Sequence, residues 1–390
     1  MRTPHDDLSM SRDPISQYGN LESIIRGIRE HRPQDLNAEQ WRQTNPDGSF
    51  EQWADETRSY LANSLDYDPG PLDLSPEIMD REERDGYIQE QIMFNTTPWS
   101  RVDGYFLYPS EKSGPVPGIV MMHAFNGPMI FGKERLVNTG KDQPFLAEHR
   151  VTYYGDRYLA EEYARQGYAV VVIDAHHFGD RAPRGFNGIP DYYDPFTLTL
   201  EDFTEVDMLV KAQLYPSLRQ LNWAGATWAG LNYWDDRRCV DYLVGRPEVD
   251  NERIGCTGFS GGGWRTQVLA ALDQRIKTSV SVGWMTTGDY QQIYNVEDAV
   301  STFHLLPGVW YHLDVPDLTI LSAPQASMVV VGSEDHLFPP EAQVEAVRQI
   351  QQGFEWAGYA NRFRFYHPSK PHCYDVDIQQ KAFEWFERHL

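Results

Sequence analysis

An α/β architecture, a mostly parallel doubly wound sheet with helices on both faces, is predicted from three observations. Short apolar, β-branched runs recur at 118–123, 168–174 and 327–332, and such unbroken runs suit strands covered on both sides. Helical stretches closed by glycine alternate with them, 158–166 before Gly167 and 228–244 before Gly245 and Pro247. Between the strand-like 254–257 and an Ala- and Leu-rich helix at 264–272 lies Gly258-Phe259-Ser260-Gly261-Gly262, a Gly-x-Ser-x-Gly pentapeptide.

That pentapeptide has a physical rationale. A serine on a sharp strand-to-helix turn takes a strained backbone conformation, and the residues two before and two after it must lack bulk so that strand and helix can approach. Ser260 is therefore expected at a strand's carboxyl end, its Oγ exposed above a helix amino terminus. A serine so held becomes a nucleophile only with a base and an orienting acid, which in this arrangement follow in the order Ser, Asp or Glu, His.

Downstream, the strand at 327–332 runs into Ser333-Glu334-Asp335-His336, and Asp335 is the candidate acid. A last strand at 362–366 is followed by His367 and His372. His372 is the favoured base because it sits deeper in the loop, against the final helix, whereas a histidine directly after a strand is more often structural. Asp335 lies 75 residues after Ser260 and His372 another 37 on, gaps that accommodate α/β units.

On these residues and the strand 117–123 the chain resembles the α/β-hydrolase superfamily, in its dienelactone hydrolase and acetyl-xylan-esterase-like branch. The resemblance covers residues 86–390, and 1–85 resembles the helical extension of some bacterial members. It implies an α/β-hydrolase fold and a serine hydrolase cleaving a carboxylic ester, a short-acyl (acetyl) ester of a polar or carbohydrate alcohol, without a cofactor. Ser260 would attack, His372 would carry the proton, Asp335 would hold the imidazole, and the backbone N–H groups of Gly261 and Phe125 would receive the oxyanion. The rivals are a carbon–carbon bond hydrolase using the same three residues and a non-catalytic binding protein retaining the fold. One departure stands out: where the family commonly has His-Gly, this chain has His123-Ala124, and alanine tolerates unusual backbone angles less well.

Taken in order, residues 1–19 are polar. A helix is expected from Asn20 as cap, with Leu21, Ile24, Ile25 and Ile28 on one face. A second begins at Ser49, where Ser49 and Gln52 form a capping-box pattern and Phe50, Trp53, Tyr60 and Leu61 recur at helical spacing. These stripes need a partner: the main domain, the active site, or a second copy in a homo-oligomer. After a linker at 66–76, the runs 86–95 and 101–108 predict an antiparallel pair, and 124–152 reads as a long loop. Asp174 precedes the serine and is expected to orient the loop through His176, His177, Gly179 and Arg181.

The stretch 184–224 interrupts the βα rhythm and is expected to be a lid-like insertion. It carries Tyr192, Tyr193 and Trp223, which with Trp264 and Trp284 are the candidate substrate-binding residues. Rings alternating with polar groups suit the apolar faces and hydroxyl edges of a sugar.

Composition narrows the classes further. A formal net charge of −23 over 390 residues repels phosphate backbones and anionic membranes, so nucleic acid is not an expected partner. No run of about eighteen apolar residues occurs, so no membrane span is expected, and a cytoplasmic setting follows by default. Three cysteines, Cys239, Cys256 and Cys373, form no pairing pattern; Cys373 adjoins His372 but has no turn of its own to make it a nucleophile. No metal is expected, since adjacent His176 and His177 diverge on a strand or helix. The glycine run lacks the Lys-Ser/Thr of a phosphate loop.

Overall fold

The computed structural model describes residues 21–70, 72–294 and 303–390. The expected cap Asn20 and the polar segment before it lie outside the described residues.

Among the described residues nine strands form one sheet in the order β1-β2-β3-β5-β4-β6-β7-β8-β9: β1 (Glu77–Arg84), β2 (Tyr87–Thr97), β3 (Ser100–Pro109), β4 (Val116–Met122), β5 (Ala169–Ile173), β6 (Val249–Phe259), β7 (Ile276–Val282), β8 (Ala326–Val330) and β9 (Phe363–Tyr366). The first three form an antiparallel meander, and β3 pairs antiparallel with β5. From β5 onward every pairing is parallel, with helices as the crossovers that parallel strands require. The most apolar runs, β5 and β8, are buried at every residue.

The chain leaves β4 for β5 on one side and later returns to place β6 on the other. The crevice beyond the carboxyl end of β4 is thus a topological switch point, where open α/β sheets bind their ligands. The loops after β4, β6, β8 and β9 carry Phe125, Ser260, Asp335 and His372, so the topology itself gathers the candidate residues at one rim.

The amino-terminal segment is built into the core. The helix Phe50–Ser64 has the capping box of Ser49 and Gln52, and its Trp53, Ala54 and Leu61 share one apolar cluster with Trp264, Val268 and Ala271 of the helix Gly261–Leu272. Arg58 adds donors to Ala271 O at 3.1 Å and Leu321 O at 2.6 Å. The helix Leu21–Glu30 differs, leaving Leu21, Ile24, Ile25 and Ile28 half or more exposed.

Three elements differ from expectation. The sheet begins at β1, inside the segment 1–85 expected to be helical; β1 is a charged edge strand that pairs with β2 through its backbone and is exposed almost throughout. The supposed long loop 124–152 contains a three-residue turn of helix, Lys133–Arg135, and the helix Pro144–Tyr154, started by Pro144 and ended at Gly155 in the left-handed region. A short helix, Ala38–Thr44, capped by Asn37, was also unforeseen. The stretch 184–224 holds two helices, Leu200–Ala212 and Leu214–Trp223.

Candidate active site

Ser260 stands between β6 and the helix Gly261–Leu272 with φ 56° and ψ −120°, angles that a side chain strains to adopt. The surroundings enforce them. Ser260 N–H donates to Val282 O at 2.8 Å, pinning the turn to β7. A side chain on Gly258 would collide with the Gly262 backbone, and one on Gly262 with the Met122 and His123 carbonyls.

His372 Nδ1 lies 2.6 Å from Asp335 Oδ2, and Asp335 is buried. Its second oxygen accepts the Leu337 N–H at 3.0 Å, so the carboxylate is fixed at both ends. An anion there favours the Nδ1–H tautomer and leaves the Nε2 lone pair for another proton. Nε2 is buried and has no hydrogen-bond partner among the described residues. His367 is occupied elsewhere, its Nδ1 2.7 Å from Val331 O and its ring stacked on Phe365.

Ser260, Gly261, Phe125 and His372 line one cavity of about 360 Å³, together with Asn126, Tyr153, Trp284, Phe303, His304 and Leu337. Gly261 is the first residue of its helix, so its N–H has no partner four residues back. Among the described residues neither its N–H nor that of Phe125 donates to a backbone acceptor outside the regular elements. Ala124 proves unstrained, because the positive φ in this loop falls on Gly127, at 79°.

Behind the loop stands Arg135, which the sequence reading passed over. It is buried, and it donates to Ala124 O at 2.8 Å and to the carbonyls of Asn126 and Pro128. Burial pulls its pKa down to about 10, which leaves it charged at neutral pH. One side chain thereby fixes the peptide planes on both sides of Phe125 and Asn126.

Of the five aromatic candidates, only Trp284 lines this cavity. Tyr192 and Tyr193 line a separate, polar cavity of about 510 Å³ with Lys133, Asp180 and Arg184. Tyr193 is buried there in one apolar cluster with Ile130 and Phe131, with the Arg184 guanidinium 4.1 Å above its ring. Trp223 ends its helix 92% exposed, and Trp264 is buried on the core side of the helix after Ser260. These four are corrected to surface and packing roles with respect to the serine cavity. A ring's presence in an insertion says nothing about which cavity it faces.

Asp174 orients its loop as expected, accepting the Lys133 N–H at 2.6 Å and the Asp180 N–H at 3.0 Å. Glu134, Asp174 and Asp180 bring carboxylates close enough to hold a cation. The Lys133 ammonium stands among them, 2.7 Å from Asp174 and 2.5 Å from Asp180. Burial pushes the Cys373 thiol up to about 11, so it is protonated and a poor nucleophile at neutral pH.

A mostly parallel sheet with a strained serine at its switch point and a His–Asp pair on the next loops defines an α/β-hydrolase fold. Residues 7–372 match the Abhydrolase family, and the chain belongs to it. YtaP of Bacillus subtilis (strain 168), provisionally designated a hydrolase, is 23% identical over 337 residues, 86% of this chain and 99% of that protein. A Bacteroides fragilis protein provisionally designated an acetyl xylan esterase superimposes with a TM-score of 0.67 at 18% identity, covering 90% of this chain and 84% of its own. The glucuronoyl esterase of Solibacter usitatus gives 0.60 at 14% identity, covering 88% and 94%. At these identities the structural likeness is one of fold. No helix among the described residues is long and apolar enough to cross a membrane.

Proposed function

We propose that this protein is a serine hydrolase of carboxylic esters. The observation that carries the reading is one cavity holding both a strained Ser260 and the free Nε2 of a histidine whose Nδ1 is 2.6 Å from a buried aspartate. Ser260 Oγ attacks the ester carbonyl while His372 Nε2 takes its proton. The oxyanion is received by the N–H groups of Gly261 and Phe125, and the imidazolium is steadied by Asp335. His372 returns the proton to the departing alcohol, and water, deprotonated by the same nitrogen, releases the acid and frees Ser260.

For the substrate we retain a short acyl group, acetyl, on a polar or carbohydrate alcohol. It is supported by the name of one structural neighbour, provisionally designated an acetyl xylan esterase; the name of another, a glucuronoyl esterase, supports a carbohydrate in the ester but puts it on the acyl side. A second reading is favoured by the cavity wall: Phe125, Tyr153, Trp284, Phe303 and Leu337 offer an apolar group more contact than an acetyl can use. Three buried, unpaired cysteines support a reducing, cytoplasmic setting.

Turnover of p-nitrophenyl acetate, butyrate, octanoate and benzoate by the wild type and Ser260→Ala tests both levels. Ser260-dependent turnover of any ester supports the hydrolase. A kcat/KM falling from acetyl onward supports the short acyl group; a maximum at octanoate or benzoate transfers the reading to the apolar substrate. Absence of ester turnover with cleavage of a β-diketone would promote the carbon–carbon rival.

A further inference from the structure

We propose that the side-chain amide of Asn126 is a third hydrogen-bond donor to the ester carbonyl oxygen as it turns negative, and that His149 holds it in the donating orientation. The proposal rests on the hydrolase reading above.

Asn126 follows Phe125 and lines the same cavity as Ser260 and His372. Its Nδ2 is buried and has no hydrogen-bond partner among the described residues, whereas its Oδ1 lies 3.1 Å from His149 Nε2. A buried donor left unsatisfied weakens a fold, and a cavity that receives a charged oxygen is where such a donor finds its acceptor.

The placement of the amide, with Oδ1 beside the imidazole, goes with one tautomer of His149. Burial pushes its pKa down to about 2, so the ring is neutral and carries a single N–H. Its Nδ1 is also buried without a partner. With Asn126 Oδ1 at 3.1 Å, a ring protonated only at Nδ1 would set lone pair against lone pair, so this placement goes with a proton on Nε2 that is given to Oδ1. The amide oxygen is thereby committed to His149, and the NH₂ is left for an acceptor in the cavity. The ring itself is held by Tyr153 and Tyr154, with centroids at 4.8 and 5.7 Å.

The main chain beneath is equally fixed, since Arg135 takes the carbonyls of Ala124, Asn126 and Pro128. A donor set before the reaction starts needs no reorganisation when the charge develops, which is the condition under which such a contact accelerates chemistry. His149 touches no reacting atom and is a positioning residue that acts through Asn126.

The test uses Asn126→Ala, His149→Phe and the double variant, with Ser260→Ala as control, on p-nitrophenyl acetate and a trifluoromethyl ketone that Ser260 converts to a charged hemiketal. Asn126→Ala is expected to lower kcat by roughly 10²–10³-fold with KM within about threefold, and to weaken the ketone in parallel. His149→Phe should lose less, because the released amide can still rotate into place, and should add nothing once Asn126 is alanine. An Ala or Phe substitution merely loosening the fold would move the melting temperature without this pattern. Unchanged kcat in folded Asn126→Ala, a change in KM alone, or His149 and Asn126 losses that multiply would each overturn the proposal. Ester turnover that survives Ser260→Ala would instead overturn the hydrolase reading, and the inference falls with it.

Discussion

Replacing Ser260 by glycine should stabilise the protein relative to replacing it by alanine, although both variants lack the hydroxyl. At φ 56° and ψ −120° any residue with a Cβ is strained, at a cost of about 1–3 kcal/mol. Glycine relieves that strain but loses about 0.5–1 kcal/mol through the freedom it gains when unfolded. The balance favours Ser260→Gly over Ser260→Ala by roughly 0.5–2 kcal/mol, or about 1–4 °C in melting temperature for a chain of this size. Urea unfolding followed by tryptophan fluorescence measures the difference directly, and comparing two inactive variants removes every effect of the hydroxyl. A glycine variant less stable than the alanine variant by about 0.5–1 kcal/mol, the ordinary penalty, would mean that the turn holds no strain and that the glycines around it serve another purpose.

In folded protein, Ser260→Ala and His372→Ala should each lower kcat by several orders of magnitude, and Asp335→Asn by roughly 10⁴-fold through the wrong imidazole tautomer; circular dichroism with ester turnover checks both. Arg135→Met strands three carbonyls and should cost about 2–4 kcal/mol, seen as a lower urea midpoint and faster amide exchange at 124–128. Asp317 gives a pH signature: burial raises its carboxyl to about 7, against the ordinary carboxylate value of about 3.9 in the unfolded chain. The native state then holds a proton that the unfolded state has released, so stability should fall as pH rises from about 4 to 7. Since Asp317 accepts from Ala38 N–H and Asn37, urea midpoints at pH 5 and 8 should differ more in the wild type than in Asp317→Asn, and equal differences would refute the assignment.

Much of this molecule can be read before it folds. The helix Trp228–Val244 ends where Gly245 stops it, and the capping box at Ser49 and Gln52 forms as written, because these signals are local. The strained turn at Ser260 is legible for the same reason. β1 was not, since Glu-Ile-Met-Asp-Arg-Glu-Glu-Arg has no apolar face and earns its place only through the backbone of β2. Nor was most of the wall of the serine cavity: of the candidate rings Trp284 lines it and Tyr192 and Trp223 do not, while Phe303 lines it without any periodicity to announce it. Arg135 and His149 left no signal, because each matters only through a partner that the fold brings to it.

The tie between the helix Phe50–Ser64 and the rest of the core has a consequence for how the chain is made. Arg58 bonds to carbonyls 213 and 263 residues further along, and Trp53 packs among residues from the same late segments. At ribosomal rates of 5–20 residues per second that helix waits roughly 10–50 s for the surfaces that bury it. Throughout that interval its indole and leucine face water or a chaperone. A helix made early is therefore among the last to be completed, and conditions that stall translation before residue 321 should favour aggregation of the nascent chain over accumulation of a partly active fragment.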